Sequence, residues 1–448
     1  MNPDTDLTRE PIPALIRKIA VPASMGFFFN TMYNVVDTYY GGRLSTDALA
    51  ALSLSFPVFF MIIALGSGIA TGTTALISNA IGEGDREKAL DYIGQSISFT
   101  MLLGVTMTVV GLLISPDLFR ILGAEGPYLS LGLSYMNVIL IGTVFFLLIY
   151  TFNAILSAQG DARSFRNYLI AGFFLNIVFD PWFMYGGLGI PEMGLAGVAW
   201  ATVLIQFLGT LYMGYRAAVS ELFCPDCLKK LVPRKAAFIE LAGQGFPASL
   251  NMMTIAVGVF VITYFISIFG KEGVAAYGIA TRIEQIALLP SFGLNTAALS
   301  IVGQNNGAKK FDRVKETVTK SILYGIAIMS IGTVGVFCFA EPLMGAFTTD
   351  PVVMSIGTAY LRIAAFIFQA YIILYVSISC LQGMKKPLYA IWVGLYRQIA
   401  APLVIFFVLV HLLGLGIASV FWGIFGITWS AALFTLWYSG QALKHMRA

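Results

Sequence analysis

The chain is 448 residues long, 58% hydrophobic and only 11% charged, with a formal net charge of +4. Soluble domains carry about 25% charged residues, and a surface this poor in charge cannot be solvated, which excludes a soluble enzyme or binding module. Four cysteines and two histidines are too few for a disulfide framework or a histidine-based metal or catalytic site.

A membrane-crossing helix needs roughly 20 mostly apolar residues, because in hydrocarbon the backbone must satisfy its own hydrogen bonds. In chain order such stretches are expected at 14–41, 48–79, 91–114, 129–156, 164–187 and 194–217. A second set follows at 239–269, 274–304, 316–340, 355–381, 387–411 and 416–440. The fold expected is an all-α membrane protein with twelve transmembrane helices in two six-helix bundles. Residues 1–13 are polar, and the apolar run after them is too long for a cleavable signal.

Of the 27 Lys and Arg, 21 fall at the termini or in loops of one side, three (Arg43, Arg120 and Lys271) on the other, and three (Arg282, Arg362 and Arg397) inside spans. Basic loops stay in the cytoplasm. Both termini are therefore expected there, in the plasma or inner membrane, and the positive charge needs no nucleic acid to explain it. The CxxC of Cys224 and Cys227 lies in a loop expected on the reducing side and has no second metal-binding pair to accompany it.

Shifting the sequence on itself by 225 positions aligns residues 20–82 with 245–307 without a gap. Among the identities are Pro22/Pro247, Ser24/Ser249, Thr38/Thr263, Gly68/Gly293 and Gly82/Gly307. The expected organisation is an N-terminal lobe over 1–217, a cytoplasmic linker over 218–236 and a C-terminal lobe over 237–448. With an even number of spans each, the lobes keep the same orientation, so a pseudo-two-fold axis along the membrane normal relates them. Rocking of two such bundles is a simple route to alternating access, although duplicated bundles also occur in channels and membrane enzymes.

Ionisable groups at bilayer depth are functional candidates, since a charge there costs on the order of 2.5 kcal/mol or more. Asn30, Tyr33, Asn34 and Asp37 recur at i, i+3, i+4 and i+7 in the first span and share a helical face. In the fifth span Asn176 lies one turn before Asp180. Pro181 follows and deprives the Ile177 carbonyl of its helical donor, leaving it able to coordinate something else. At 1.5 Å per residue both acids sit roughly 8 Å inside the outer boundary. They can meet if spans 1 and 5 are neighbours. Two carboxylates in a pocket of low dielectric repel, so they would take up a proton near neutral pH or hold a sodium ion; the residues alone leave both open.

The second half does not repeat this chemistry: the shift opposes Asp37 with Ile262 and Tyr33 with Gly258. Arg282 and Glu284, two residues apart in the eighth span, point to different faces, so one or both are expected to line the cavity or to answer Arg397. Pro22 is expected to kink the first span and act as a hinge, with Pro247 as its counterpart.

The stretches VPAS at 21–24, YNVVDTYYGG at 33–42, NAILSAQGDAR at 153–163, NIVFDPWFMYG at 176–186 and IVGQNNGA at 301–308 together resemble the multidrug and toxic compound extrusion (MATE) family over essentially the whole chain. The resemblance implies a V-shaped exporter of organic cations that uses an inward proton or sodium gradient, with no cofactor and no enzymatic activity. It further implies an ion-coupling role for Asp37, Asn176 and Asp180, as in the DinF-like branch, with Tyr33 and Asn153 nearby and Thr202 completing the set. Pro22 matches the proline at which the first helix is thought to bend. The NorM-like branch instead carries an acid in span 7, where this chain has only Glu240 at the cytoplasmic end.

The reading reached is a secondary multidrug antiporter, proton-coupled or sodium-coupled, conferring antibiotic resistance. Its expected partners are small-molecule drugs or toxic organic cations and membrane lipid, and it is expected to be a monomer. A flippase for a lipid-linked precursor is the alternative, and it would need a strongly basic central cavity. A channel would need repeated filter motifs, which are absent.

Overall fold

The computed structural model describes residues 6–121, 123–222 and 229–447. Cys224 and Cys227 lie outside the described residues. The first half forms α1 (Ile12–Leu44), α2 (Thr46–Glu83), α3 (Arg86–Ile121), α4 (Gly126–Ala158), α5 (Arg163–Tyr185) and α6 (Leu195–Ala218). The second forms α7 (Lys235–Ser267), α8 (Lys271–Ala287), α9 (Leu289–Gly307) and α10 (Phe311–Cys338), then α11 (Pro351–Gly383), α12 (Leu388–Leu412) and α13 (Ile417–Lys444). No strand occurs among the described residues, apart from an isolated bridge between Gly187 and Ile190.

Eleven of these helices are long and apolar enough to cross a membrane alone, and α8 with α9 makes a twelfth, bent span. The span expected over 274–304 is this bent pair. The axis turns by 45° between Ala287 and Leu289. Pro290 lies in the first turn of α9 and has no N–H to continue the ladder from α8. By contrast Pro22, Pro57, Pro116 and Pro247 all lie inside continuous helices. In α12 the residues Tyr396–Ala400 form a π turn just before Pro402, whose missing N–H leaves the carbonyl of residue 398 without its α-helical donor.

Helix ends are fixed by local chemistry. Ser45 accepts from the Ala48 N–H at the start of α2, and Asp350 accepts from Val352 and Val353 ahead of α11. Asp161 accepts from the N–H groups of Arg163 and Ser164 (2.9 and 3.1 Å) as α5 begins. The Ser164 hydroxyl in turn accepts from Arg216 of α6 at 3.0 Å, and Arg216 pairs with Asp161 at 3.6 Å. The basic end of α5 is thereby fastened to that of α6.

The described chain divides into two compact units, Met25–Ser249 and Asp6–Ser24 with Leu250–Ala448. The divisions fall inside α1 and α7, each two residues beyond a proline, whereas the sequence expectation placed the change at the 218–236 linker. Each unit is thus completed by a segment from the other half of the sequence. In the first unit the start of α7 packs on α2, where Gly68 and Gly72 face the backbone of Gly245. In the second the start of α1 packs on α9, where Gly293 faces Ala20 and Ser24. The segment before each of these helices is also held. Gln95, fully buried in α3, donates to the carbonyls of Lys230 and Val232 and accepts from the Arg234 N–H, all at 2.6–2.8 Å. Asn305 donates to the Leu7 carbonyl at 2.9 Å, and Arg313 donates to those of Leu7 and Glu10.

Gln95→Ala is expected to lose three buried hydrogen bonds at about 1 kcal/mol each and to leave their backbone partners unsatisfied. A clear fall in melting temperature of the detergent-purified protein checks this, and an unchanged melt would contradict it.

Candidate functional site

The first unit holds a buried polar cluster among α1, α4, α5 and α6. Asn176 and Asp180, one turn apart on α5, are both fully buried, and Thr202 of α6 is nearly so. The Asn176 carboxamide donates to Asp37 Oδ1 and to Asp180 Oδ1, each at 2.8 Å. One neutral side chain thus bridges two acids from different helices, and the two carboxyl groups lie within hydrogen-bonding reach of each other. Tyr33 of α1 and Thr202 of α6 lie beside the pair. Tyr33 Oη, Thr202 Oγ1, Asn176 Oδ1 and Asp180 Oδ2 are all buried with no well-formed hydrogen bond to the described residues. Orphaned buried polar atoms are rare. Three of these oxygens surround the two carboxylates, and together they form the donor set that a proton or a hard cation takes. No group of three or more His, Cys, Asp or Glu placed to hold a metal ion occurs among the described residues.

The structure brings Tyr33, Asp37, Asn176, Asp180 and Thr202 together. Asn30 and Asn34 are exposed; the Asn34 carboxamide donates back to the Asn30 carbonyl of its own helix at 2.9 Å and does not join the acids. Asn153 is placed elsewhere. It accepts from Ser157 at 3.3 Å near the end of α4, whereas Tyr135 is the α4 residue close enough to feel the charge of both acids. Eighteen residues separate the two, about 27 Å along a helix. The Ile177 carbonyl freed by Pro181 accepts from the Tyr40 hydroxyl at 3.4 Å, so it is not left open for an ion. Tyr40 went unnoticed in the sequence, although it extends the face of Tyr33 and Asp37 at i+7 and i+3. Nothing in the sequence singles out Tyr135.

In the second unit Arg282 is exposed and Glu284 buried, consistent with their two-residue spacing. Glu284 accepts from the Tyr360 hydroxyl at 2.8 Å and lies within reach of the Tyr371 hydroxyl. Arg397 stands over the rings of Tyr371 and Tyr375, at 5.3 and 5.9 Å. Glu284 and Arg397 thus have Tyr371 as a shared neighbour, and the second half carries a charged cluster of its own that the 225-residue shift does not reveal. Pro22 is buried inside α1.

The MatE family model matches residues 22–182 and 247–408, one match in each half. A probable multidrug resistance protein NorM of Thermotoga maritima is 28% identical over 93% of this chain and 90% of its own length. An FAD transporter of Shewanella oneidensis is 24% identical over 88% of this chain and 87% of its own. Among solved structures, an outward-facing multidrug resistance MATE transporter superposes with a TM-score of 0.92 at 26% identity, covering 99% of this chain and 98% of the other. A MOP superfamily transporter from Pyrococcus furiosus, described as having a binding pocket of reverse polarity, matches equally closely with the same coverage. With both halves matched and twelve spans in place, the chain belongs to the MatE family, the multidrug and toxic compound extrusion transporters, and is a transporter and not an enzyme.

Proposed function

We propose that this transporter is a secondary antiporter that exports organic, often cationic, compounds in exchange for an inward-moving proton. Asp37, Asn176 and Asp180 form the coupling site, and Tyr33 and Thr202 complete its oxygen shell. The observation that carries this reading is the Asn176 bridge, with one carboxamide donating at 2.8 Å to each acid. An amide can satisfy one oxygen of each carboxylate but neutralises neither. Both acids ionised would repel strongly in a medium of low dielectric. A proton on one lets the carboxyls hydrogen-bond to each other and removes the repulsion, so occupancy of this site changes the energy of packing α1 against α5. That is the differential interaction an ion needs in order to bias two conformations. A sodium ion among the same oxygens would act by the same logic.

The distribution of Lys and Arg supports cytoplasmic termini in a plasma or inner membrane. With inward proton flow, export then runs from the cytoplasm outward. Reconstitution into proteoliposomes with separately imposed proton and sodium gradients tests the reading. Ethidium should move against an imposed pH gradient in the wild type and stand still under a sodium gradient, and Asp37→Asn should abolish the gradient-driven movement. Full ethidium transport by Asp37→Asn would remove the acid pair from the mechanism, and sodium-driven transport alone would replace the ion.

A further inference from the structure

We propose that a groove between α10 and α13, in the second unit, holds one anionic phospholipid of the leaflet at which α13 ends. Both helices are membrane spans. Each packs on the Phe368–Gly383 stretch of α11, and between them they leave an opening of about 350 Å³. On α10 it is lined by Lys315, Val318 and Ile322, at i, i+3 and i+7, and on α13 by Leu436, Gly440 and Lys444, at i, i+4 and i+8. These spacings put each set on one helical face. At 1.5 Å per residue the groove runs about 12 Å along the helices. Lys315 is the fifth residue of α10 and Lys444 the last of α13. Both ammonium groups therefore stand at one mouth of the groove, at the ends of the spans where headgroups lie, and the apolar walls continue inward.

Charge at the mouth and hydrocarbon below it is the profile of a phospholipid, and basic pockets between spans at the membrane surface take anionic headgroups. Among the described residues no acid lines the groove. Lys320, on the same helix, is paired with Glu316 at 3.1 Å. Lys315 and Lys444 take part in none of the ion pairs among the described residues, so both are open to a phosphate. The hydroxyl of Thr319, an exposed residue of the same groove, adds a donor one turn deeper than Lys315. Further in, Ile322 and the 40% exposed Leu436 offer the apolar surface that an acyl chain covers. Gly440 supplies the width, since a methyl added there meets nothing within 4 Å. A zwitterionic lipid would bring a cation of its own to two lysines, so charge selects the anionic headgroup.

Native mass spectrometry of the delipidated full-length protein tests the site, by titration with dioleoylphosphatidylglycerol or dioleoylphosphatidylcholine, which differ only in headgroup. Wild type should take up its first phosphatidylglycerol more tightly than phosphatidylcholine. Lys315→Gln and Lys444→Gln should each weaken that phosphatidylglycerol about fivefold and leave phosphatidylcholine within about twofold of wild type. Gly440→Leu keeps every charge but fills the groove, and it should weaken phosphatidylglycerol as well. Lys235→Gln combined with Lys386→Gln removes two exposed lysines that do not line the groove and should change neither lipid. Equal binding of the two lipids by wild type, an equal loss in the Lys235 and Lys386 control, or unchanged affinity in Gly440→Leu overturns the site. So does a dimer that forms in place of the lipid complex, which would put a second copy of the chain in the groove.

Discussion

Gly293→Ala should yield far less folded protein than wild type and a clearly lower melting temperature for what remains. A methyl group at this position would sit 3.0 Å from the Ser24 N and closer still to the Ala20 carbonyl, both backbone atoms of α1. Side chains can rotate out of the way, but a helix backbone moves only as a body, so overpacking here belongs at the severe end of its range, about 3 kcal/mol. Gly68→Ala should behave alike, because its added carbon would lie 2.6 Å from the Gly245 carbonyl and 2.8 Å from the Ser249 N. Gly278→Ala in α8 and Gly243→Ala in α7 are the controls. A methyl at either meets nothing within 4 Å, and each should hold or raise stability by up to about 1 kcal/mol through helix propensity. Melting in detergent, read by loss of the monodisperse peak on size-exclusion chromatography, separates the four. If Gly293→Ala and Gly278→Ala melt together, the close approach of α1 to α9 is not what holds that unit.

These glycines also explain which parts of the fold were legible in the sequence. Ser24/Ser249 and Gly68/Gly293 stand out as identities at one offset, and the structure supplies their reason, since Gly68 meets Ser249 and Gly293 meets Ser24. The offset tells which residues are equivalent, however, and not which touch. The crosswise arrangement, in which the start of α7 completes one unit and the start of α1 the other, therefore could not be read from it. Span positions were legible because twenty apolar residues leave little choice. The break at Leu288 was not, because proline does not discriminate: Pro22, Pro57, Pro116, Pro181 and Pro247 all lie within continuous helices.

The acid cluster shows the same division. Helical spacing put Asn30, Tyr33, Asn34 and Asp37 on one broad face, yet that face is wide enough to split. Tyr33 and Asp37 turn toward α5, and Asn30 and Asn34 are exposed. Spacing also paired Asn176 with Asp180 on one helix, while depth matching was needed to bring Asp37 to them. Tyr135 and the cluster around Arg397 depend on contacts between helices far apart in sequence, with no repeat, motif or run of polar residues to announce them.

Asn176→Leu should abolish gradient-driven export as completely as removal of either acid, although it takes no charge away. The carboxamide supplies a donor to Asp37 and another to Asp180, each at 2.8 Å. Hydrogen bonds to charged groups are worth about 1.5–3 kcal/mol each. Leucine matches asparagine in branching and in number of side-chain heavy atoms, though bulkier, and donates nothing, so both acids would be left buried with no neutral group to hold them near each other while ionised. The ionised state then becomes much less favourable, and the site should keep its proton across the range in which the wild type exchanges it. Export driven by a pH gradient should fall to background, whereas exchange of ethidium between the two sides without any gradient should continue. Asn176→Gln tests whether the donor alone suffices: its longer side chain can reach one acid but cannot span both from the same backbone position, so export should recover only in part. Gradient-driven transport at the wild-type rate in Asn176→Leu would show that the bridge is structural and would return the coupling step to the two acids alone.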